Sequence, residues 1–223
     1  MLRGRDIGKY TINFEKLWLI NTHNGLKSDN INPIDINNYP VIKSHLDQYI
    51  VKLTKRSDKG TTPYNLRNCA YLKEFDKPKI IYPNMTKFLP FSYDEKQHYY
   101  TNQKCYIITG VHLKYLVGFL NSQLFKFCFE ENFPELQGNT RELNKVIFNE
   151  IPVKVPTSEQ EQPFKELVDK ISLLKEENPK ADTTALEQEI DVLVYQLYNL
   201  TYEEVLIVDP AFHLSKDAYE VLS

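Results

Sequence analysis

The chain has 223 residues, 42% of them hydrophobic, and its 27 Lys/Arg against 30 Asp/Glu leave a net charge of −3. That length holds one substantial core and a smaller helical element. Its three scattered cysteines, Cys69, Cys105 and Cys128, exclude a disulfide framework or a paired-cysteine zinc knuckle. The longest apolar stretch, 115–129, is too interrupted by Asn121, Ser122, Gln123 and Lys126 to span a membrane.

In chain order, a short strand is expected at Leu17-Trp18-Leu19-Ile20. At 41–53, Ile42, Leu46, Tyr49, Ile50 and Leu53 recur at spacings of three and four, which predicts a helix. Lys79-Ile80-Ile81-Tyr82, stopped by Pro83, and Lys104–Thr109, stopped by Gly110, are β-branched and aromatic runs with breakers at their edges, so both read as strands. Between them, Phe88, Phe91, Tyr93 and Tyr99 are spaced as in a hairpin or irregular edge. One core helix is expected over 112–129, with Tyr115, Leu116, Phe119, Leu120, Leu124 and Phe127 on its apolar face.

The prolines of Ile151-Pro152-Val153-Lys154-Val155-Pro156 keep that segment extended and close a first, mixed domain at 1–155. Beyond it the pattern is helical. Thr157 or Ser158 is the expected N-cap, and Glu159 and Glu161 stand in the first turn, where the helix dipole favours them. Leu167, Ile171 and Leu174 form one stripe, and Leu186, Ile190, Leu193 and Leu197 another. Asn178-Pro179 lies in the loop between them, which predicts an antiparallel helical hairpin over 156–223. Thr201 and Glu204 have capping-box spacing. The fold class expected is α+β.

Charge divides at the same boundary. Residues 1–155 carry 22 Lys/Arg against 15 Asp/Glu, whereas 156–223 carry 5 against 15. A basic domain joined to an acidic tail suits a polyanion on one face and protein or solvent on the other. The segment Lys52–Asn68 gathers Lys55, Arg56, Lys59, Tyr64, Asn65 and Arg67 in a loop rich in breakers. Lys and Arg neutralise phosphates, Arg grips a guanine edge, Asn an adenine edge, and Tyr packs on sugar or base. The plain alternative is a solvated loop whose charges serve solubility. A second polar loop, Gln137–Arg141, supplies Asn139 and Arg141; Lys87 and the pair Arg3/Arg5 are more isolated cations.

Catalytic patterns are missing. Seven glycines without a G-x-G give no nucleotide-cofactor loop, and Asn32-Pro33-Ile34 and Asp209-Pro210-Ala211 each lack the second proline of a base-flipping tetrapeptide. Asp76 with Asp94-Glu95-Lys96 has the formal spacing of a metal-dependent nuclease, but the same residues suit a polar turn between aromatic segments. The five histidines lack ligand spacing. No catalytic, cofactor or metal residue is therefore assigned to this chain.

Gly4–Tyr10, Tyr64-Asn-Leu-Arg67, Lys77–Pro83, Asn102–Gly110 and Leu116–Phe125, in that order, resemble the TaqI-like C-terminal specificity domain of restriction–modification methyltransferases. The stretch Leu186–Thr201 is similar to the helical tail that follows this domain in fused, type IIG-like restriction enzymes. The resemblance implies a target recognition domain that clasps double-stranded DNA and directs an adenine methyltransferase domain, with any nuclease the parent carries, of the same or an associated polypeptide. It implies that S-adenosylmethionine and magnesium serve that parent enzyme and not this chain, which then reads as a non-catalytic fragment of a longer protein acting in the cytoplasm. The family's base-contacting residues vary with the sequence read, so the residues named above rest on charge and loop position. The alternatives are a protein-interaction module working through the hairpin, and the nuclease centred on Asp76, Asp94 and Lys96.

Overall fold

A computed structural model describes residues 1–222. In chain order its elements are β1 (Ile7–Gly8), β2 (Thr11–Ile12), α1 (Pro40–Asp47), α2 (Ile50–Lys55), β3 (Lys79–Pro83), β4 (Met85–Thr86), β5 (Ser92–Asp94) and β6 (Cys105–Thr109). There follow α3 (Leu113–Leu120), α4 (Gln123–Asn132), β7 (Glu135–Leu136), β8 (Thr140–Glu142), α5 (Lys145–Glu150), α6 (Ser158–Glu177), α7 (Thr184–Leu197), α8 (Tyr202–Val208) and α9 (Lys216–Val221). The fold is α+β, with small antiparallel sheets set among helices. Among the described residues no helix is long and apolar enough to cross a membrane.

The chain divides into two compact units. One comprises residues 1–17 with the chain from Lys77 onward; the other is Trp18–Asp76. The units thus part elsewhere than at 155/156, and the acidic tail shares a unit with most of the basic domain. The reason lies in α3. Tyr115, Val117, Phe119 and Leu120 are buried on several sides of this helix and join Phe164, Val168 and Ile171 of α6 and Ile190 and Val194 of α7 in one apolar cluster. At Gly118 a Cβ would stand 3.3 Å from the Phe164 ring and 3.5 Å from Ile190, so the missing side chain lets the two tail helices approach α3 closely.

The tail helices form as expected. Thr157 caps α6 in a reciprocal box with Gln160, and Thr201 caps α8 in one with Glu204. The face of α6 that is buried, however, is Phe164, Val168 and Ile171, while Leu167 and Leu174 are only partly covered. Leu186 and Ile190 of the other stripe are buried and Leu193 and Leu197 are partly buried against the same cluster, so the leucine seam packs on the core.

Two expected helices are each divided. Asn121 and Ser122 separate α3 from α4: the Ser122 hydroxyl accepts from Phe125 N–H at 3.2 Å and so caps α4, and the Asn121 amide pairs with both backbone groups of Phe91. The 41–53 helix is broken at Gln48-Tyr49, and neither α1 nor α2 has a buried residue. The strand expected at Leu17–Ile20 is irregular backbone, with Leu17, Trp18 and Ile20 exposed. Its residues have strand propensity, but among the described residues no strand is paired with them.

The sheet β5-β3-β6 has β3 at its centre, with Ile80 opposite Tyr93 on one side and Ile108 on the other. Every residue of β3 is buried, including Lys79, whose ammonium lies 2.9 Å from the Asp94 carboxylate on β5. Asp94 also accepts from the backbone N–H groups of Gln97, His98 and Tyr99. The second sheet, β4-β8-β7, sets Thr86 opposite Arg141 and closes with the turn at Gly138 and Asn139, both at positive φ.

Candidate nucleic-acid interface

In the larger unit four chain segments meet around an open groove of about 1080 Å³. The segment entering at Arg3 is fixed by Leu2, whose N–H donates to Tyr100 O and whose carbonyl accepts from Asn102 N–H. This seats Arg3–Lys9 beside Pro83–Pro90 and beside Lys104. The break between α3 and α4 supplies the remaining wall, which carries Lys126.

Six cations line the groove. Arg3 is held by Asp6 (Nη2–Oδ1 2.8 Å, Nε–Oδ2 3.0 Å), and Lys9 by Glu187 of α7 at 2.5 Å. Burial pushes the Asp6 carboxyl up, but the Arg3 hydrogen bonds outweigh it, so its pKa lies below the ordinary value. Arg5, Lys87, Lys104 and Lys126 are exposed, and none has a carboxylate within ion-pair distance among the described residues. Glu130 is the one acid on this lining. The first turn of α4 adds few free donors: Gln123 N–H is taken by Asp191 at 2.8 Å and Phe125 N–H by Ser122. The groove's positive character therefore rests on side chains. Four unpaired cations around one concavity give it a positive potential suited to an anion, with apolar Ile7, Leu89 and Phe129 also on its lining.

Among the residues expected from sequence, Lys87 lies on this groove. Its neighbour Thr86 pairs with Arg141, so the Lys87 segment and the Asn139–Arg141 hairpin belong to one sheet. Arg141 itself is turned inward, donating to the Phe133 carbonyl and lying 3.6 Å from Glu135. Asn139 is exposed at the turn.

The other six lie in the 18–76 unit, where the breaker-rich loop is knitted shut. Arg56 donates to the carbonyls of Pro63 (3.0 Å) and Asn65 (2.8 Å), and Lys59 to those of Thr54 and Arg56 at the end of α2. The Tyr64 hydroxyl donates to Asp47, and Lys43 lies over its ring. Asn65 is 1% exposed: its oxygen accepts from Thr62 and its amide donates to the carbonyls of His23 and Ile34. Lys55 and Arg67 remain exposed. Arg56, Tyr64, Asn65 and Arg141 thus spend their polar groups on the chain itself, because closing tight loops leaves carbonyls that need donors.

Asn65→Ala is accordingly expected to destabilise the 18–76 unit by about 1–3 kcal/mol, by taking from the Ile34 carbonyl and from the Thr62 N–H and hydroxyl the partner they share. Hydrogen exchange would show faster exchange across 18–76. Unaltered protection there would mean that Asn65 holds nothing together.

Sequence reasoning passed over Lys104 and Lys126 and ranked Arg5 low. No local signal marks them, since each stands alone in its own segment and only the crossing of the groove's four segments collects them.

The nuclease spacing has a different meaning. Asp94 is buried, with its carboxylate filled by Lys79 and three backbone N–H groups, while Glu95 and Lys96 are exposed turn residues.

A comparison with curated proteins finds no match. Residues 1–153 match the sequence model of the TaqI-like C-terminal specificity domain, which is a specificity domain and not itself catalytic. That span takes in β1–β8, the groove and α1–α5 and stops just before α6. With well over half of its residues matched, the chain belongs to the family of TaqI-like C-terminal specificity domains.

Proposed function

We propose that this chain reads double-stranded DNA as the specificity domain of a restriction–modification enzyme, and that the groove bearing Arg5, Lys87, Lys104 and Lys126 holds the phosphodiester backbone. The observation that carries this reading is the gathering of four unpaired cations on one concave surface of a chain whose total charge is negative. A strand of duplex DNA presents a phosphate about every 3.4 Å, and each phosphate neutralised by Lys or Arg releases condensed counterions. Lys55, Arg67 and Asn139, exposed and uncommitted, serve as further contacts in this reading. Lys59 and the inward-turned Arg56, Tyr64, Asn65 and Arg141 act by shaping the loops that carry them.

In this proposal the chain directs an adenine methyltransferase domain of the same or an associated polypeptide in the cytoplasm. S-adenosylmethionine, magnesium and any nuclease belong to that catalytic part. The family's matched span ends at 153, and α6 and α7 then brace α3 behind the groove. The hairpin is therefore a structural support for the reader and not an independent interaction module.

Binding of a labelled duplex, measured by fluorescence anisotropy between 50 and 200 mM salt, tests the reading. With all four groove cations replaced by alanine, the slope of log K against log salt should flatten by about 3 to 4, close to one unit per lost phosphate contact. A slope indifferent to these replacements would remove the groove from the DNA interface.

A further inference from the structure

Resting on the DNA-binding reading, we propose that Phe88, backed by Met85, is an apolar wedge that enters a base-pair step of the bound duplex and unstacks it. Phe88 lies on the rim of the basic groove with 80% of its surface exposed, and Met85 beside it is 46% exposed. The Phe88 ring stacks on no other aromatic ring among the described residues, although neighbouring aromatics such as Phe91, Phe125 and Phe148 are packed together. A large bare aromatic has no folding role in that position.

Its presentation is also fixed. The buried Thr86 hydroxyl accepts from Phe88 N–H at 2.9 Å and donates to the Phe88 carbonyl, closing a tight turn just after β4. Thr86 is in turn paired with Arg141 of β8, and Leu143 N–H donates to Asn84 O at 2.9 Å. The ring is therefore carried on a braced turn at the end of a sheet, which limits the entropy lost on ordering it against a partner.

Lys87 precedes the ring, exposed and without a carboxylate partner among the described residues. A cation beside a protruding apolar side chain, on the edge of a positive groove, has the chemistry needed to hold a phosphate while the ring slides between the adjacent bases. The unstacking cost of that step is offset by aromatic stacking and by the closer contact a kinked duplex allows.

The test compares a fully paired 30-base-pair duplex with the same duplex carrying one abasic site, where unstacking is already done. The intact chain should bind the abasic duplex about tenfold more tightly at fixed salt. Phe88→Ala should abolish that preference and leave the salt dependence unchanged, while Phe88→Trp should restore it. A preference retained by Phe88→Ala, or an intact chain that binds both duplexes equally, overturns the wedge and leaves DNA binding standing. If the intact chain binds neither duplex in a salt-dependent way, the DNA-binding reading fails and the wedge with it.

Discussion

Replacing Asp94 by alanine should lower the stability of the larger unit by about 3–5 kcal/mol, because it removes the countercharge of a lysine held in the core. Lys79 is 0% exposed and Asp94 3%, and the two face each other across β3 and β5 at 2.9 Å. The ammonium also faces the Lys77 carbonyl at 3.4 Å, which carries no countercharge. The same carboxylate accepts three N–H groups of the 97–99 turn, at 2.7 to 3.2 Å, so that turn loses its acceptors as well. A loss of this size consumes a large part of the 5–15 kcal/mol that domains typically have in hand (roughly).

Urea denaturation followed by circular dichroism measures the effect. Glu95→Ala and Lys96→Ala, in the exposed turn, should change stability by less than about 0.5 kcal/mol. A double replacement of Lys79 by Met and Asp94 by Leu should recover only part of the loss, since the turn's N–H groups stay unpaired. An Asp94→Ala chain as stable as the parent would refute the structural role of the pair and reopen the catalytic reading of the Asp94-Glu95-Lys96 sequence.

Asp191 should make the protein less stable as pH rises through neutrality, the reverse of the usual carboxylate trend. It is 7% exposed on α7, and burial pushes its carboxyl up to about 7; Asp209 and Glu187 act in the same direction, against the Gln123 N–H and Lys9. Its pKa in the folded chain therefore lies above the ordinary value near 3.8. A raised acid binds its proton more tightly when folded, so its stabilising contribution is complete below about pH 4 and is lost as pH climbs through about 7.

Asp191→Asn keeps an oxygen for Gln123 N–H and removes the charge. Relative to the parent, the variant should gain up to about 4 kcal/mol by pH 8 and almost nothing at pH 4. Denaturation midpoints at the two pH values decide the matter, and a gain that is larger at pH 4 would contradict the sign. The same site touches the groove wall through Gln123, and its neighbour Glu187 pairs with Lys9 on the groove lining, so α7 braces the candidate interface from behind.

The residue patterns that were readable in advance are those whose causes are local. Ile- and Tyr-containing runs ending at Pro83 and before Gly110 became β3 and β6, and Thr157 and Thr201 became caps because hydroxyls satisfy the first helical N–H groups within three residues. Periodicity found the tail helices but not which side of α6 faces inward, since Phe164 and Val168 interleave with Leu167 and Leu174 and only the partner helix selects between them. It also ran a helix through Asn121-Ser122, where hydrogen bonds to Phe91, thirty residues away, stabilise the break.

The candidate site shows the same limit more sharply. Lys55–Arg67 attracted attention because its charges are adjacent in the chain, yet several of them turn inward to satisfy loop carbonyls. Arg5, Lys87, Lys104 and Lys126 are dispersed along more than a hundred residues and meet at one groove. Order of motifs, α+β character and family are written in the linear chain, because propensity, capping and breakers act over a few residues. Which cations are free, and that the acidic tail is welded to α3, was settled by folding alone, because pairing and burial depend on segments that sequence separation keeps apart.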